Sequence, residues 1–183
     1  MAKILDSLSA DHAGMTRVLD LLDAEIGKDD ADGGPDFHVI AHILDYFLSF
    51  PDLCHHPKED LIYRKLEERD AEAAKRVGNL VAEHDKLAGI VHKLAFTATR
   101  KALGEDEPYS AWFISMARNL LDSHRHHMKM EDAYFFPVAN EVLTDDDWAE
   151  IEDQFTKYNE NFLCPETQAR LDEQFREIYE KKD

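Results

Sequence analysis

Cysteine is nearly absent from this 183-residue chain, at 2 residues, and glycine and proline are sparse at 7 and 6. Two cysteines cannot build a disulfide framework or a thiolate zinc site, and Cys54 and Cys164 are too far apart in sequence for a CxxC pair. So little glycine and proline argues against a turn-rich all-β protein. Positive charge is also short. With 21 Lys+Arg against 39 Asp+Glu the formal net charge is −18, a surface that repels phosphate backbones and anionic lipid. No nucleic-acid or membrane partner is expected. Long apolar runs are missing too: the uncharged stretches Phe37 to Leu44 and Pro108 to Ala117 fall far short of the ~20 residues of a membrane span. The opening Met1-Ala2-Lys3-Ile4-Leu5-Asp6 meets an acid before any apolar stretch forms, unlike a signal peptide. Together these absences predict a cytoplasmic, reduced protein whose cysteines are small buried hydrophobes. No Gly-rich phosphate loop or nucleophile elbow occurs.

Histidine, by contrast, is abundant, with 10 residues in an acidic chain. Four segments carry helical apolar spacing. The first runs Leu8, His12, Met15, Leu19, Leu22, Ile26, and the third Val77, Leu80, His84, Leu87, Val91, Leu94. The second is predicted to begin at Pro35, after Gly33-Gly34, with a seam of Phe37, Ile40, Leu44 and Phe47. Pro51 and Pro57 are expected to kink or break it before the seam resumes at His55, Glu59, Ile62 and Leu66. The fourth is predicted to start near Asp106-Glu107-Pro108, with Phe113, Ala117, Leu120, His124, His127, Glu131, Tyr134 and Val138 on its seam and Pro137 bending its last turn.

Short connections between long helices predict an all-α, up-down-up-down four-helix bundle over residues 1–143. Thr144 followed by Asp145, Asp146 and Asp147 reads as a helix start, opening a short helix from Trp148 to about Phe155. Residues 144–183 are expected to form a C-terminal helical extension packed on the bundle. Exposure of Trp148, Phe155, Phe162 and Phe175 would mark that extension as a docking surface.

The seam histidines are ordered. His12 precedes His55 by 43 residues, and His84 precedes His127 by the same 43. Glutamate follows four residues after each later histidine, at Glu59 and Glu131. The second set is the first displaced by 72 residues, and apolar positions share that shift. Residues i and i+4 lie on one helix face, so each HxxxE presents both groups to one region. Burying two glutamates without a cation would cost several kcal/mol each, so the constellation predicts a metal centre. Four imidazoles and two carboxylates suit a pair of metals, each with two histidines, bridged by both glutamates and by an oxo or hydroxo oxygen. This donor set favours iron or manganese, with zinc possible.

The segments "ADHAGM", "YFLSFPDLCHHPKEDLIYRKL", "EHDKL" and "HHMKMEDAYFFP" resemble the four helices of the hemerythrin-like proteins, the HHE cation-binding domain family. The resemblance covers about residues 1–143 and implies a four-helix bundle around two non-haem iron ions. The ligands it implies are His12, His55, Glu59, His84, His127 and Glu131. Oxygen-carrying members use a fifth histidine four residues after the third-helix ligand, where this chain has Ala88. His124 is a candidate for a fifth ligand or a supporting hydrogen bond. His56 and Asp60 form a competing pair beside the repeat register, which favours His55 and Glu59. Tyr63 is expected in the core. His38 and His42 lie roughly 20 Å up the helix from His55 at ~1.5 Å per residue and are expected outside the site.

The function implied is capture of a small diatomic ligand, O2 or NO, for sensing, storage or stress protection. The alternative is a di-iron oxidoreductase acting on NO or peroxide, or an iron donor for damaged iron-sulfur clusters. Turnover would require an external reductant, since no flavin, haem or CxxC module is present. Oligomeric state stays open.

Overall fold

The computed structural model describes residues 2–29, 33–105, 111–162, 166, 167, 169, 170 and 173, and every regular element among them is helical. In order they are α1 (Lys3–Ile26), α2 (Phe37–Ser49), α3 (His56–Arg69), α4 (Ala71–Val77), α5 (Leu80–Ala102), α6 (Ala111–Met130), α7 (Phe136–Val142) and α8 (Asp145–Phe162). Two wide π-turns, Pro51–His55 and Glu131–Phe135, join α2 to α3 and α6 to α7. Helix α1 packs against α2 and α6, and α5 packs against the same two. No described helix is long and apolar enough to cross a membrane.

Local chemistry sets the boundaries. Asp36 accepts hydrogen bonds from the backbone N–H groups of His38 (2.9 Å) and Val39 (3.4 Å), so α2 starts two residues later than Pro35 suggested. Gly78, at φ 103°, adopts a conformation that side chains disfavour and ends α4. Asn79 then caps α5 through Ala82 N–H at 3.1 Å, which leaves Val77 on a separate short helix and off the third seam. The expected start of the fourth helix lies outside the described residues.

The prolines do not break the second helix. Pro51 has no N–H for the carbonyl four residues back, and Pro57 and Pro137 lack theirs as well. The chain answers with wide turns, as where His55 N–H bonds the Phe50 carbonyl five residues back at 3.1 Å. Each π-turn absorbs an extra residue and rotates the helix beyond it. In the fourth helix this leaves Tyr134 58% exposed and turns Phe135 and Phe136 inward, reversing the expected seam.

The apolar core is divided in two. One cluster is built around Met15, Leu44, Phe47, Leu94, Phe113 and Leu120, the other around Leu5, Leu8, Ile62, Leu66, Phe135 and Phe136. Tyr63 belongs to the second, edge-on to Phe135. Between the clusters lies a layer of buried histidine and carboxylate. Cys54 is buried as expected, as a disulfide-bonded residue and not a free thiol; Cys164 lies outside the described residues.

Helix α8 is longer than its sequence suggested, because no breaker precedes Pro165 and Tyr158 packs against the first cluster. Ile151 and Phe155 are buried in the second cluster, and Trp148 packs against it. The side chains of Phe162 and Phe175 lie outside the described set. Asp147, 3% exposed, accepts from Thr144 Oγ1 at 2.7 Å and Thr144 N–H at 3.0 Å. It also accepts a fork of Arg69 bonds at 2.8 to 2.9 Å, and those bonds above all hold its carboxyl at about 2. This cap seats α8 on α3. Thr144→Ala should therefore cost about 1 kcal/mol in denaturant unfolding and speed amide exchange in the first turns of α8. Unchanged exchange there would show that apolar packing alone seats the helix.

Candidate metal centre

Each long helix brings its histidine to the layer between the two clusters. His12 comes from α1, His55 from the first π-turn, His84 from α5 and His127 from α6. Glu59 follows His55 by one turn on α3, and Glu131 opens the second π-turn. All six side chains are buried, with Glu59 at 0% and Glu131 at 1% exposure. Glu59 Oε1 lies 3.2 Å from His55 Nε2 and 3.5 Å from His12 Nε2, while its Oε2 lies 3.5 Å from His84 Nε2. Glu131 Oε1 is 3.1 Å from His127 Nε2 and 3.4 Å from His84 Nε2, and its Oε2 is 3.4 Å from His12 Nε2. Both carboxylates thus reach histidines of both halves.

The outer nitrogens of these rings face carboxylates. His55 Nδ1 hydrogen-bonds Asp11 at 3.2 Å, His84 Nδ1 bonds Asp60 at 2.9 Å and His127 Nδ1 bonds Glu83 at 3.1 Å. His12 Nδ1 lies 3.2 Å from Asp132, off the line of a hydrogen bond. Asp132 in turn accepts from Ser9 Oγ at 2.7 Å. A proton held on Nδ1 leaves the Nε2 lone pair pointing inward, the usual support for a metal-ligating imidazole. These four carboxylates obey the 72-residue shift: Asp11 matches Glu83, and Asp60 matches Asp132. Each serves a histidine on another helix, so helical periodicity did not reveal them. The repeat reveals them once it is extended to acidic positions.

The inward atoms are in conflict unless positive charge sits among them. His12 Nε2 and His55 Nε2 face each other at 3.1 Å, and both oxygens of Glu59, Glu131 Oε2 and His127 Nε2 make no hydrogen bond. Without a cation, protons would have to meet this demand. Burial alone would push His12 and His84 down; contact with Glu131 and Glu59, plus Asp60 for His84, outweighs it and raises both to about 10. Burial pushes Glu131 up, but His12, His127 and His84 hold it well below the usual carboxylate range. Metal cations satisfy the same demand with better matched donors. One atom each from His12, His55 and Glu59 fall within 4.8 Å of one another, and so do one each from His56, Glu59, His84 and His127. The imidazole and carboxylate donors fit two cations with Glu59 common to both.

His56 is the member that the sequence passed over. It is 4% exposed, and burial together with the charge of nearby His84 and His55 holds it well below its ordinary value, hence neutral. Its neighbour Asp52 is pushed up to about 7 by burial. His124 is buried but joins neither group; its ring lies between Phe47 and His56, Nδ1 has no hydrogen-bond partner, and burial drops it to about 3. His38 and His42 are exposed on α2, away from the cluster. A surface cleft of about 580 Å³ is bordered by His12 together with Thr16, Arg125, Met128, Lys129 and Asp132.

Comparison with protein families finds that the model of the hemerythrin HHE cation-binding domain matches residues 3–139. No curated protein and no solved structure matches the chain.

The geometry sets two expected outcomes. His55→Ala or Glu131→Ala should abolish stoichiometric metal retention, whereas His38→Ala should leave it unchanged by metal analysis; equal loss in all three would place the centre elsewhere. The second outcome concerns the metal-stripped protein. His12 and His84 rise from 6.5 on folding, so their protonation stabilises fully below pH 6.5, and that stability drains away as pH climbs through about 10. The Tm of EDTA-treated protein should fall across that window more steeply than that of metal-loaded protein. Parallel curves would mean that these protons do not balance the carboxylates.

Proposed function

From the premise that this chain belongs to the hemerythrin HHE cation-binding domain family, we propose that it holds two non-haem iron ions and captures a small diatomic ligand, O2 or NO. The ligands in this reading are His12 and His55 on one ion, His84 and His127 on the other, with Glu59 and Glu131 bridging. The helices are taken as an up-down-up-down bundle over residues 1–143, with 144–183 a helical extension. One observation carries the proposal: Glu59 is fully buried, neither of its oxygens makes a hydrogen bond, and it belongs to both groups of candidate ligand atoms. Left without cations, so buried a carboxylate would be strongly destabilising.

When bound, the metals would supply coordination positions for the diatomic and a reversible one-electron change at each ion. The protein's own contribution is positioning and exclusion. Asp11, Asp60, Glu83 and Asp132 fix ring orientation and keep each Nε2 turned inward. Phe136, stacked on the His12 ring at 5.6 Å, and Phe47, set against His124, close the apolar walls and limit water. The cleft beside His12 gives a small molecule its approach.

Anaerobic reconstitution with Fe(II) tests the proposal. Metal analysis should approach two irons per chain, and NO should produce new visible absorption in the reduced protein. A saturating value of one iron, or no response to NO at two, would overturn it.

A further inference from the structure

We propose that the disulfide at Cys54 closes on Cys164 and latches the C-terminal extension to the turn that carries His55. A dithiol that opens the bond then loosens the extension and the metal centre together. The link to the centre rests on the two-iron reading above; the latch itself does not.

Three observations carry it. The first is arithmetic: Cys54 is disulfide-bonded, and the chain has one other cysteine, Cys164.

The second is register. Helix α8 runs antiparallel along α3, as the contacts between them show. Asp147 accepts the Arg69 fork, Glu150 accepts from Lys65 Nζ at 2.9 Å, and Lys58 Nζ sits 5.9 Å over the Phe155 ring. Each step forward on α8 is a step back on α3, so its later turns arrive at Pro51–His55, and α8 packs there. Tyr158 packs against the cluster that contains Cys54. The helix ends at Phe162, two residues short of Cys164, and two residues of extended chain span up to ~7 Å. That reach is of the same order as the roughly 4.4–6.8 Å between the Cα atoms of bonded cysteines.

The third is what Cys54 is attached to. Its N–H and that of His55 share the Phe50 carbonyl, at 2.8 and 3.1 Å, in the wide turn that brings His55 inward. Cys54 itself is 1% exposed and belongs to the first apolar cluster. A bond at its sulfur anchors the backbone one residue from a candidate ligand. It also closes a loop of about 110 residues, from position 54 to 164, that contains Glu59, His84, His127 and Glu131. Opening the loop returns freedom to the unfolded chain and releases the end of α8 from the turn.

The opening is a thiol–disulfide exchange. A thiolate of the dithiol attacks one sulfur of the bond, and the other sulfur leaves as a thiolate and takes up a proton. The second thiol of the dithiol then displaces the mixed disulfide. The S–S bond is reduced to two thiols, the dithiol is oxidised to its own disulfide, and two electrons and two protons move to the protein. A small-molecule disulfide runs the exchange in reverse and recloses the latch.

Peptide mapping of the full chain, oxidised with glutathione disulfide and then alkylated, tests the bond. It should find Cys54 joined to Cys164 within one chain and no alkylated cysteine, and dithiothreitol should expose both. In the metal-free protein, dithiothreitol or Cys164→Ser should lower the Tm by about 5–15 °C and speed amide exchange in the last turns of α8. In the iron-loaded protein, Cys164→Ser should speed extraction by a chelator about tenfold. Dithiothreitol should accelerate extraction from the wild type but not from this variant, which separates the latch from any action of the reagent on iron. If Cys164→Ser does not fold, the wild type equilibrated at graded dithiothreitol carries the same measurements. A disulfide-linked dimer, free thiols after oxidation, or unchanged exchange or iron release on opening would overturn the proposal. Fewer than two irons in the oxidised wild type would overturn the two-iron reading instead, and the latch would still be read in the metal-free protein.

Discussion

Two glutamates with almost no solvent exposure, facing each other across a ring of imidazoles, are the constraint around which this protein is arranged. A buried carboxylate is tolerable only if positive charge and hydrogen bonds surround it. Glu59 and Glu131 obtain these from four helices at once, so no pair of helices satisfies the centre alone. The polar layer fixes which faces meet. It also divides the apolar core, so that neither cluster can slide without pulling charged groups off their partners.

Further carboxylates surround the first pair. Asp11, Asp60, Glu83 and Asp132 are partly open to solvent and face the outward side of the central histidine rings. Their charge accounts for part of the net −18, which thus has a role at the centre as well as at the surface. Each acid serves a histidine from a different helix. The support is a set of cross-links between helices, and orientation of the rings is coupled to the packing of the bundle.

Much of this was legible in the chain, for a definable reason. A helix interior repeats, and the apolar seams with their embedded histidines repeat with it, so the long helices and the six central residues follow from spacing. The illegible part came from departures from 3.6 residues per turn. The π-turns moved Tyr134 outward, brought Phe135 and Phe136 inward, and placed His56 beside His55 in the interior. Proline marked where the departures occur without saying which way the helix would rotate. The short helix α4 was hidden for another reason: Val77 fits an apolar seam, but Gly78 takes a backbone conformation that ends the helix after it.

The two π-turns also fall at different places in the two halves. In the first half the wide turn runs up to the histidine of the HxxxE pair; in the second it begins at the glutamate. Shifted by 72 residues, each π-turn lands on ordinary α-helix. Two halves that share their histidines, glutamates and supporting acids therefore present different surroundings to the centre. Around His84 and His127 the chain adds His56 and Asp52; around His12 and His55 it adds Met128 and a cleft. A symmetric repeat would make two equal metal positions and give an incoming molecule no reason to prefer either. The displaced turn and the side chains that differ between the halves, His56 against Met128 and Asp52 against His124, break that equality while the six shared residues stay in register. In this way the prolines that interrupt the helical pattern become part of how the centre is differentiated.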